Sequence, residues 1–596
     1  MHIRTLGDFA RFLESVGELR RVPFEVDPYL EVTEVARRAI REKKPALWFE
    51  RVKGARYPLV VNTLAGGFRC ELALGRHPEE VGEELVRFAE DLLPPRASAL
   101  TGHRSVLWRL VRAAPRRVHK ASSQEVIESP ELFDLPLLTC WPSDCGRSLP
   151  FSQAVTEDPR TGRRGTGMCR MQVFDGRTTG IRWQVQAPCV LHHARAETDR
   201  LELPVAAVLG AHPALLFAAA SPLPDSVDQV LFAGYLRGRG FPFVRGSSIP
   251  LAVPAEAEFI LEGTLSPGER RMEGPFADGS GRTGAASEAP VFRLKAVTRR
   301  HRPVCPGRVA GLPPMEEKWL GEAVQMMLGP LVRLVHTEVS DLWAYSETGF
   351  RNLVVAAVEE RHAGDALKAA CGLLGMRGLS LTRCLVLVSR GVNVRNIDEV
   401  MKNIRDHFEA SRDFHLTAGL PPDAGEGRIG LMDTGSRMIL DATVKRSGAG
   451  EERPAVDRKR REEQVRNLRA LDPRIMEIAL VHDTLLLVKV NGGGMGVVER
   501  LVRHTELPGV KIAAAVSEDV DLSDSESYLW GIFTRFDCAR DLVFTEQRLQ
   551  GPAPVVRGIM GIDATWKPGL PAPLRMGEEV RKKVDDRWGD YWKGSA

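Results

Sequence analysis

Hydrophobic and polar positions alternate with a period of two along residues 163–186, RRGTGMCRMQVFDGRTTGIRWQVQ. The alternation breaks at Asp175-Gly176 and then resumes, which predicts a β-hairpin. Arg170, Gln172, Arg182, Gln184 and Gln186 stand in it among apolar neighbours. Successive strand residues point to opposite faces, so Arg170 shares a face with Met168 and Gln172, opposite Cys169 and Met171. The same texture fills residues 130–310. Short strand-like runs are punctuated by DGRT, LPDS, LSPGER and ADGSGR, and a barrel or sandwich is the natural closure for such a segment. Before it, helical stretches from Leu6 to Val16 and Glu79 to Leu93 mix with short strands such as YPLVVNTL, predicting a small α/β unit. After it, PPMEEKWLGEAVQMMLGPLVRLV has helical spacing behind two prolines and predicts a connecting helix.

The last third contains a repeat. Residues from 353 and from 485 each read as strand, turn, helix and second strand. Arg412-Asp413 recurs as Arg540-Asp541, and Asp441-Ala442-Thr443 as Asp563-Ala564-Thr565. The chain therefore divides into an N-terminal α/β domain (1–118), a central β domain (119–310), a linking helix (311–340), one C-terminal α/β copy (341–450), a charged linker (451–480) and a second copy with a helical tail (481–596). The linker reads as a solvated segment or exposed helix in preference to a binding element.

Composition adds exclusions. The 596 residues exceed what one core accommodates. A net charge of +4, from 82 basic and 78 acidic residues, gives no footprint for nucleic acid. No apolar run reaches spanning length and the start reads as an amphipathic helix, so the cytoplasm is the expected location. The 9 cysteines include no CxxC pair, which argues for reduced buried thiols over disulfides or a zinc ribbon.

Chemistry concentrates in two places. MEGPFADGSGRTG, residues 272–284, sets Glu273 and Asp278 on either side of Gly274, Pro275 and Phe276. Two adjacent carboxylates push one pKa upward and create a general acid, although Asp and Gly are also ordinary turn residues. Arg170 either lies on the surface or pins a carboxylate by paired hydrogen bonds. His192-His193, read as strand residues, point oppositely and do not share one ion. VNGGGMG lacks the lysine and hydroxyl residue of a phosphate loop and reads as a turn.

Taken together, GMCRMQVFDGRTTGIRWQ, LPVAAVLGAHPALLFAAASPLPDSVD, VPAEAEFILEGTLSPGERRMEGPFADGSG, GLPPMEEKWLGEA and GSRMILDATVK, in that order, resemble the UbiD family of decarboxylases over nearly the whole chain. The resemblance implies an N-terminal α/β domain, a split β-barrel that binds prenylated FMN, a linking helix and a C-terminal α/β domain, here followed by a second copy. It implies non-oxidative decarboxylation, or the reverse carboxylation, of an aromatic or α,β-unsaturated acid, with quinone-precursor acids as the leading class. Cofactor supply by a flavin prenyltransferase and a homo-oligomer follow from the same resemblance. Removing carbon dioxide from an sp2 carbon needs an electron sink that no side chain offers. By the resemblance, Arg170 orients the substrate carboxylate and the cofactor, Glu273 supports Arg170, and Asp278 donates the proton. Cofactor contacts fall on Met168, Cys169, Arg170, Arg182, Trp183 and Gln184.

Three positions depart from the family pattern. Gly165 stands for an asparagine, Gln186 for a histidine and Gln229 for a glutamate, the residues that hold manganese against the cofactor phosphate. Glycine has no ligand atom and a glutamine carbonyl is a poor exchange for imidazole or carboxylate, so weak or absent metal is expected, with Asp228 or His192 as the substitutes if manganese does bind. A family lysine is also missing around Glu359 and Glu360. Arg170, Glu273 and Asp278 argue for an enzyme. Gly165, Gln186 and Gln229 argue for a non-catalytic subunit or regulatory relative.

Overall fold

The computed structural model describes residues 3–92, 102–184, 187–224, 226–279, 281–420, 435–445, 458–551, 553–568, 570 and 573–593. Gln186, residues 446–450 at the end of the first C-terminal copy and residues 451–457 of the expected linker lie outside them; residues 458–468 are helical. Contacts divide the chain into two compact units, Met1–Leu328 with Pro573–Ala596, and Gly329–Ala572.

In the first unit, helix α1 (Leu6–Ser15) starts at Thr5, whose hydroxyl caps Asp8 N while the Asp8 carboxylate returns to Thr5 N. Strand β1 (Leu19–Val26), helix α2 (Glu31–Arg41) and strands β2 (Ala46–Val52) and β3 (Leu59–Val61) follow. β1 pairs parallel with β2, and β2 antiparallel with β3. The site grows from an eight-stranded sheet. Its members that matter here are β4 (Ser148–Glu157), β5 (Arg164–Gln172), β6 (Thr178–Gly180), β7 (Arg182–Trp183), β8 (Leu203–Leu209), β9 (Phe259–Glu273) and, after the small pair β10 (Phe276–Ala277) and β11 (Thr283–Gly284), β12 (Ser287–Arg299). The order β12-β9-β8-β4-β5-β7 is antiparallel throughout. β6 brings the two ends together, since it pairs with β12 while Thr179 bridges Val173 just beyond β5.

Strand β5 is buried on both faces over most of its length. Met168 joins an apolar cluster with Val208, Leu216 and Tyr235, while Cys169 and Met171 join another with Ala207, Phe292 and Leu294. A strand covered on both sides needs apolar residues at consecutive positions, and this is why the alternation of the expected hairpin is imperfect.

His192 and His193 lie on helix α3 (Pro188–Thr198), not on a strand. Pro188 occupies its first turn, where a missing N–H costs nothing, and Cys189, His192, His193 and Ala196 form the buried face. Helix α4 (Gln229–Arg237) begins at Asp228, whose carboxylate accepts Val230 N and Leu231 N, and ends at Gly238 with φ 76°. Helix α5 is Glu317–Leu328.

The unit's last piece comes from the C-terminus. Helix α6 (Glu578–Arg587) packs on α2. Glu31, 1% exposed, accepts from Asp27 N, Lys583 Nζ, Arg587 Nη1 and Tyr591 OH at 2.7–3.0 Å. Upstream, Pro573 bridges Arg282, and Leu574 and Met576 enter the same cluster as Ala277 and Met315.

In the second unit two five-stranded sheets share one plan. One runs Val339–Ala344, Leu353–Val358, Cys384–Ser389, Gly435–Ala442, Phe414–Leu420; the other runs Ile475–Val481, Leu485–Val490, Ile512–Val516, Ala553–Ala564, Leu542–Gln550. In both, the outer pairs are antiparallel and the inner pairs parallel. The recurring Asp-Ala-Thr does the same work in each: the aspartate Oδ1 accepts the threonine N–H at 3.0 Å and its hydroxyl at 2.6 Å in one copy and 2.7 Å in the other.

Candidate active site

Glu273 ends β9 and is fully buried. A carboxylate there requires partners, and it has two. Arg170 Nε donates to Oε1 and Arg182 Nε to Oε2, each at 3.1 Å. The two arginines are direct neighbours across β5 and β7, so sheet register sets the fork. Arg182 also donates to Ser287 Oγ. Gln172, two residues beyond Arg170, accepts Gly274 N at 2.8 Å. Alternate residues of β5 thus hold consecutive residues at the end of β9. Arg170 lies over the Phe276 ring at 4.6 Å, adding a cation–π contact.

Asp278 follows β10. Its carboxylate accepts Arg282 N at 3.3 Å, and its own N–H donates to Arg282 O at 2.8 Å. The turn reading is seen directly: Asp278 closes a turn with Arg282 just beyond Phe276. A neighbouring carboxylate without a role in the sequence reading, Asp144, has its pKa raised by burial, opposed by hydrogen bonds from the N–H groups of Ala277, Trp141 and Cys140 and by the charge of Arg170.

The expected cofactor residues separate into two sets. Arg170, Arg182 and Trp183 are partly exposed beside one another, and Gln184 is exposed, with its N–H on Met168 O at 3.2 Å. Trp183 Nε1 is buried without a hydrogen-bond partner, and its ring lies 5.3 Å from that of His193. Met168 is buried on the Arg170 face. Cys169 turns away, its thiol donating to Ser152 O at 3.5 Å and its pKa raised by burial. On the Met168 face a cavity of about 30 Å³ is lined by residues including Gln153, Leu216 and Glu316, with Gln153 Oε1 unpartnered. That space suits about one water, whereas ligand pockets span about 300–1,000 Å³. Arg170, Arg182 and Trp183, partly exposed beside one another, are the residues with N–H donors that could meet a flavin ring.

At the two described family ligand positions, Gly165 and Gln229, the residues do not fit a metal ion. A Cβ built on Gly165 would stand 2.7 Å from Pro188 Cβ and 2.8 Å from His192 Cε1, closer than carbon atoms pack. His192 fills the place of the absent side chain, with Nδ1 2.8 Å from Thr156 Oγ1. Gln229 is buried and its Oε1 accepts Thr166 N at 2.9 Å, so its one ligand atom is engaged. Asp228, a conceivable substitute, is the cap of α4. Among the described residues no group of three His, Cys, Asp or Glu side chains is arranged to hold a metal ion. In the second unit, Glu359 pairs with Arg361 and Arg390.

Comparison with known proteins agrees with this architecture. Three family models of 3-octaprenyl-4-hydroxybenzoate carboxy-lyase match: the N-terminal domain at residues 10–89, the Rift-related domain at 116–313, and the C-terminal domain at 318–442 and 477–564. The chain belongs to the UbiD family. An uncharacterized protein of Archaeoglobus fulgidus is 36% identical over 76% of this chain and 94% of its own. One of Chlamydia trachomatis is 30% identical over 99% of both. The UbiD-class enzyme HmfF from Pelotomaculum thermopropionicum, solved with FMN, superposes with a TM-score of 0.63 at 26% identity, covering 76% of this chain and 97% of that one. Vanillic acid decarboxylase of Sedimentibacter hydroxybenzoicus shares the fold, with a TM-score of 0.67 at 24% identity over 78% and 99%.

Proposed function

We propose that this protein is a flavin-dependent carboxy-lyase acting on an aromatic or α,β-unsaturated carboxylic acid, in the decarboxylating or carboxylating direction. The observation that carries the reading is the buried Glu273 fork, which fixes Arg170 and Arg182 side by side. Glu273 uses one oxygen on each Nε, which leaves the terminal nitrogens of Arg170 to grip a substrate carboxylate in a planar two-point contact. Phe276 beneath that guanidinium holds its plane. Asp278, one residue past β10, is the proton donor to the carbon that loses the carboxyl group. A prenylated flavin, when bound, supplies the electron sink that side chains lack. Arg170, Arg182, Trp183 and Gln184 are its contacts, with Met168 and Cys169 contributing backbone and packing.

The same reading takes a quinone-precursor acid as the leading substrate class, a flavin prenyltransferase as supplier, and a homo-oligomer in the cytoplasm; no helix among the described residues is long and apolar enough to cross a membrane. It keeps the six-part division at residues 118, 310, 340, 450 and 480. The filled space around Gly165 favours a second reading, a non-catalytic relative that retains the fold. The two separate in one experiment. Protein co-produced with a flavin prenyltransferase is assayed for bound flavin by absorbance and mass, and for carbon dioxide release from a panel of aromatic acids. Retained flavin with turnover supports the lyase; absence of both supports the relative.

A further inference from the structure

Asp144 carries no motif, yet it joins two parts of the site. Its Oδ2 accepts Cys140 N at 3.0 Å and Trp141 N at 2.9 Å, and its Oδ1 accepts Ala277 N at 3.0 Å. The base it stands on is firm. Trp141 is buried, its Nε1 donates to Ala310 O at 2.7 Å, and its ring lies 2.5 Å from where a Cβ on Gly311 would be. Two more bonds run parallel: Cys145 N to Pro275 O at 2.9 Å, and Thr283 Oγ1 to Ser143 Oγ at 3.1 Å.

Ala277 is flanked by the two residues on which the proposed chemistry depends. Phe276 is the plate under Arg170, and Asp278 is the proton donor. Burial raises the Asp144 pKa and the charge of Arg170 opposes that rise, so the carboxyl also lies within electrostatic reach of the same guanidinium. We infer that Asp144 is a positioning residue, which fixes the height of Phe276 and Asp278 through the Ala277 N–H. This rests on the carboxy-lyase reading for its consequence in catalysis, though not for its geometry.

The chemistry of the amide makes the inference testable. A carboxylate accepts on both oxygens, and here all three partners are N–H donors. Asparagine offers one acceptor and one donor, so Asp144→Asn must set an NH2 against N–H either at Ala277 or at Cys140 and Trp141. Hydrogen exchange of full-length Asp144→Asn and Asp144→Ala is compared with wild type. The expected result is at least a tenfold faster exchange at Ala277, Asp278 and Arg282, with β8 unchanged. In flavin-loaded protein kcat falls tenfold or more, with a smaller change in KM. Unchanged exchange at Ala277 and Asp278 overturns the inference, and so does a uniform rise across the first unit. Faster local exchange with unaltered kcat in an active enzyme overturns the catalytic part. An inactive wild type counts against the carboxy-lyase reading alone, because the exchange arm needs no turnover.

Discussion

Restoring the family asparagine at residue 165 should damage this protein. In Gly165→Asn the new Cβ meets Pro188 Cβ at 2.7 Å and His192 Cε1 at 2.8 Å, against about 3.5–4.0 Å for relaxed carbon contacts. His192 must therefore withdraw by about 1 Å, which breaks its 2.8 Å contact with Thr156 Oγ1. The lost hydrogen bond is worth about 1 kcal/mol and overpacking costs about 1–3 kcal/mol. Against this, removing glycine from the unfolded chain returns about 0.4–1 kcal/mol. The loss wins by about 1–3 kcal/mol, or roughly 2–12 °C in Tm at the 2–4 °C per kcal/mol of domains of 150–250 residues. Differential scanning calorimetry reads the shift. Gly165→Ala, which adds the Cβ alone, should reproduce most of it, and adding His192→Ala should recover part. A Gly165→Asn variant that melts at the wild-type temperature and takes up an equivalent of manganese would refute the reasoning.

Three other outcomes are expected. Burial lowers the His193 pKa below its ordinary 6.5, with Glu197 raising and Arg270 lowering it; its contribution to stability is present above pH 6.5 and is lost as pH falls through the folded value. Tm measured from pH 7.5 to 5 should thus fall less steeply in His193→Phe, and an equal slope contradicts the assignment. Glu31→Ala should cost about 2 kcal/mol by calorimetry, below the ~3–5 kcal/mol of breaking a fully buried pair, because Lys583 and Arg587 are partly exposed and can rehydrate; no change in Tm would remove its clamping role. Arg170→Lys should lose flavin retention or turnover by at least about tenfold, since an ammonium cannot both fork onto Glu273 and lie flat on Phe276, and unaltered activity counts against the fork.

Local pattern made much of the fold legible. Turn signals and alternation located the hairpin strands, and the recurrence of Asp441-Ala442-Thr443 as Asp563-Ala564-Thr565 announced two sheets that prove to share one strand order. A short polar stretch beside a β-rich run reads as strand, which misplaces His192 and His193; Pro188 at a helix start and the buried spacing through Ala196 are the signals for α3. Within the site, Arg170 and Glu273 were visible as motif residues, but the sharing of Glu273 with Arg182 depends on register across β5 and β7. Asp144 was not visible because its partners are backbone N–H groups, which every residue carries. Glu31 meets Lys583 and Tyr591 from 552 and 560 residues away, a distance over which no sequence periodicity operates.

The claim that Arg170, Glu273 and Asp278 form a carboxy-lyase site is tested most directly by proton exchange. Flavin-loaded wild type and Asp278→Asn are incubated in D2O with the decarboxylated products of a panel of aromatic acids, and deuterium at the carbon that would bear the carboxyl group is followed by NMR. Wild type should incorporate deuterium with at least one member. Asp278→Asn should be slower by about 100-fold to 10,000-fold, the usual worth of a general acid, with the same bound flavin and a Tm within about 1 kcal/mol equivalent. Equal exchange in the two proteins, or none in a flavin-loaded wild type across the panel, would contradict the account.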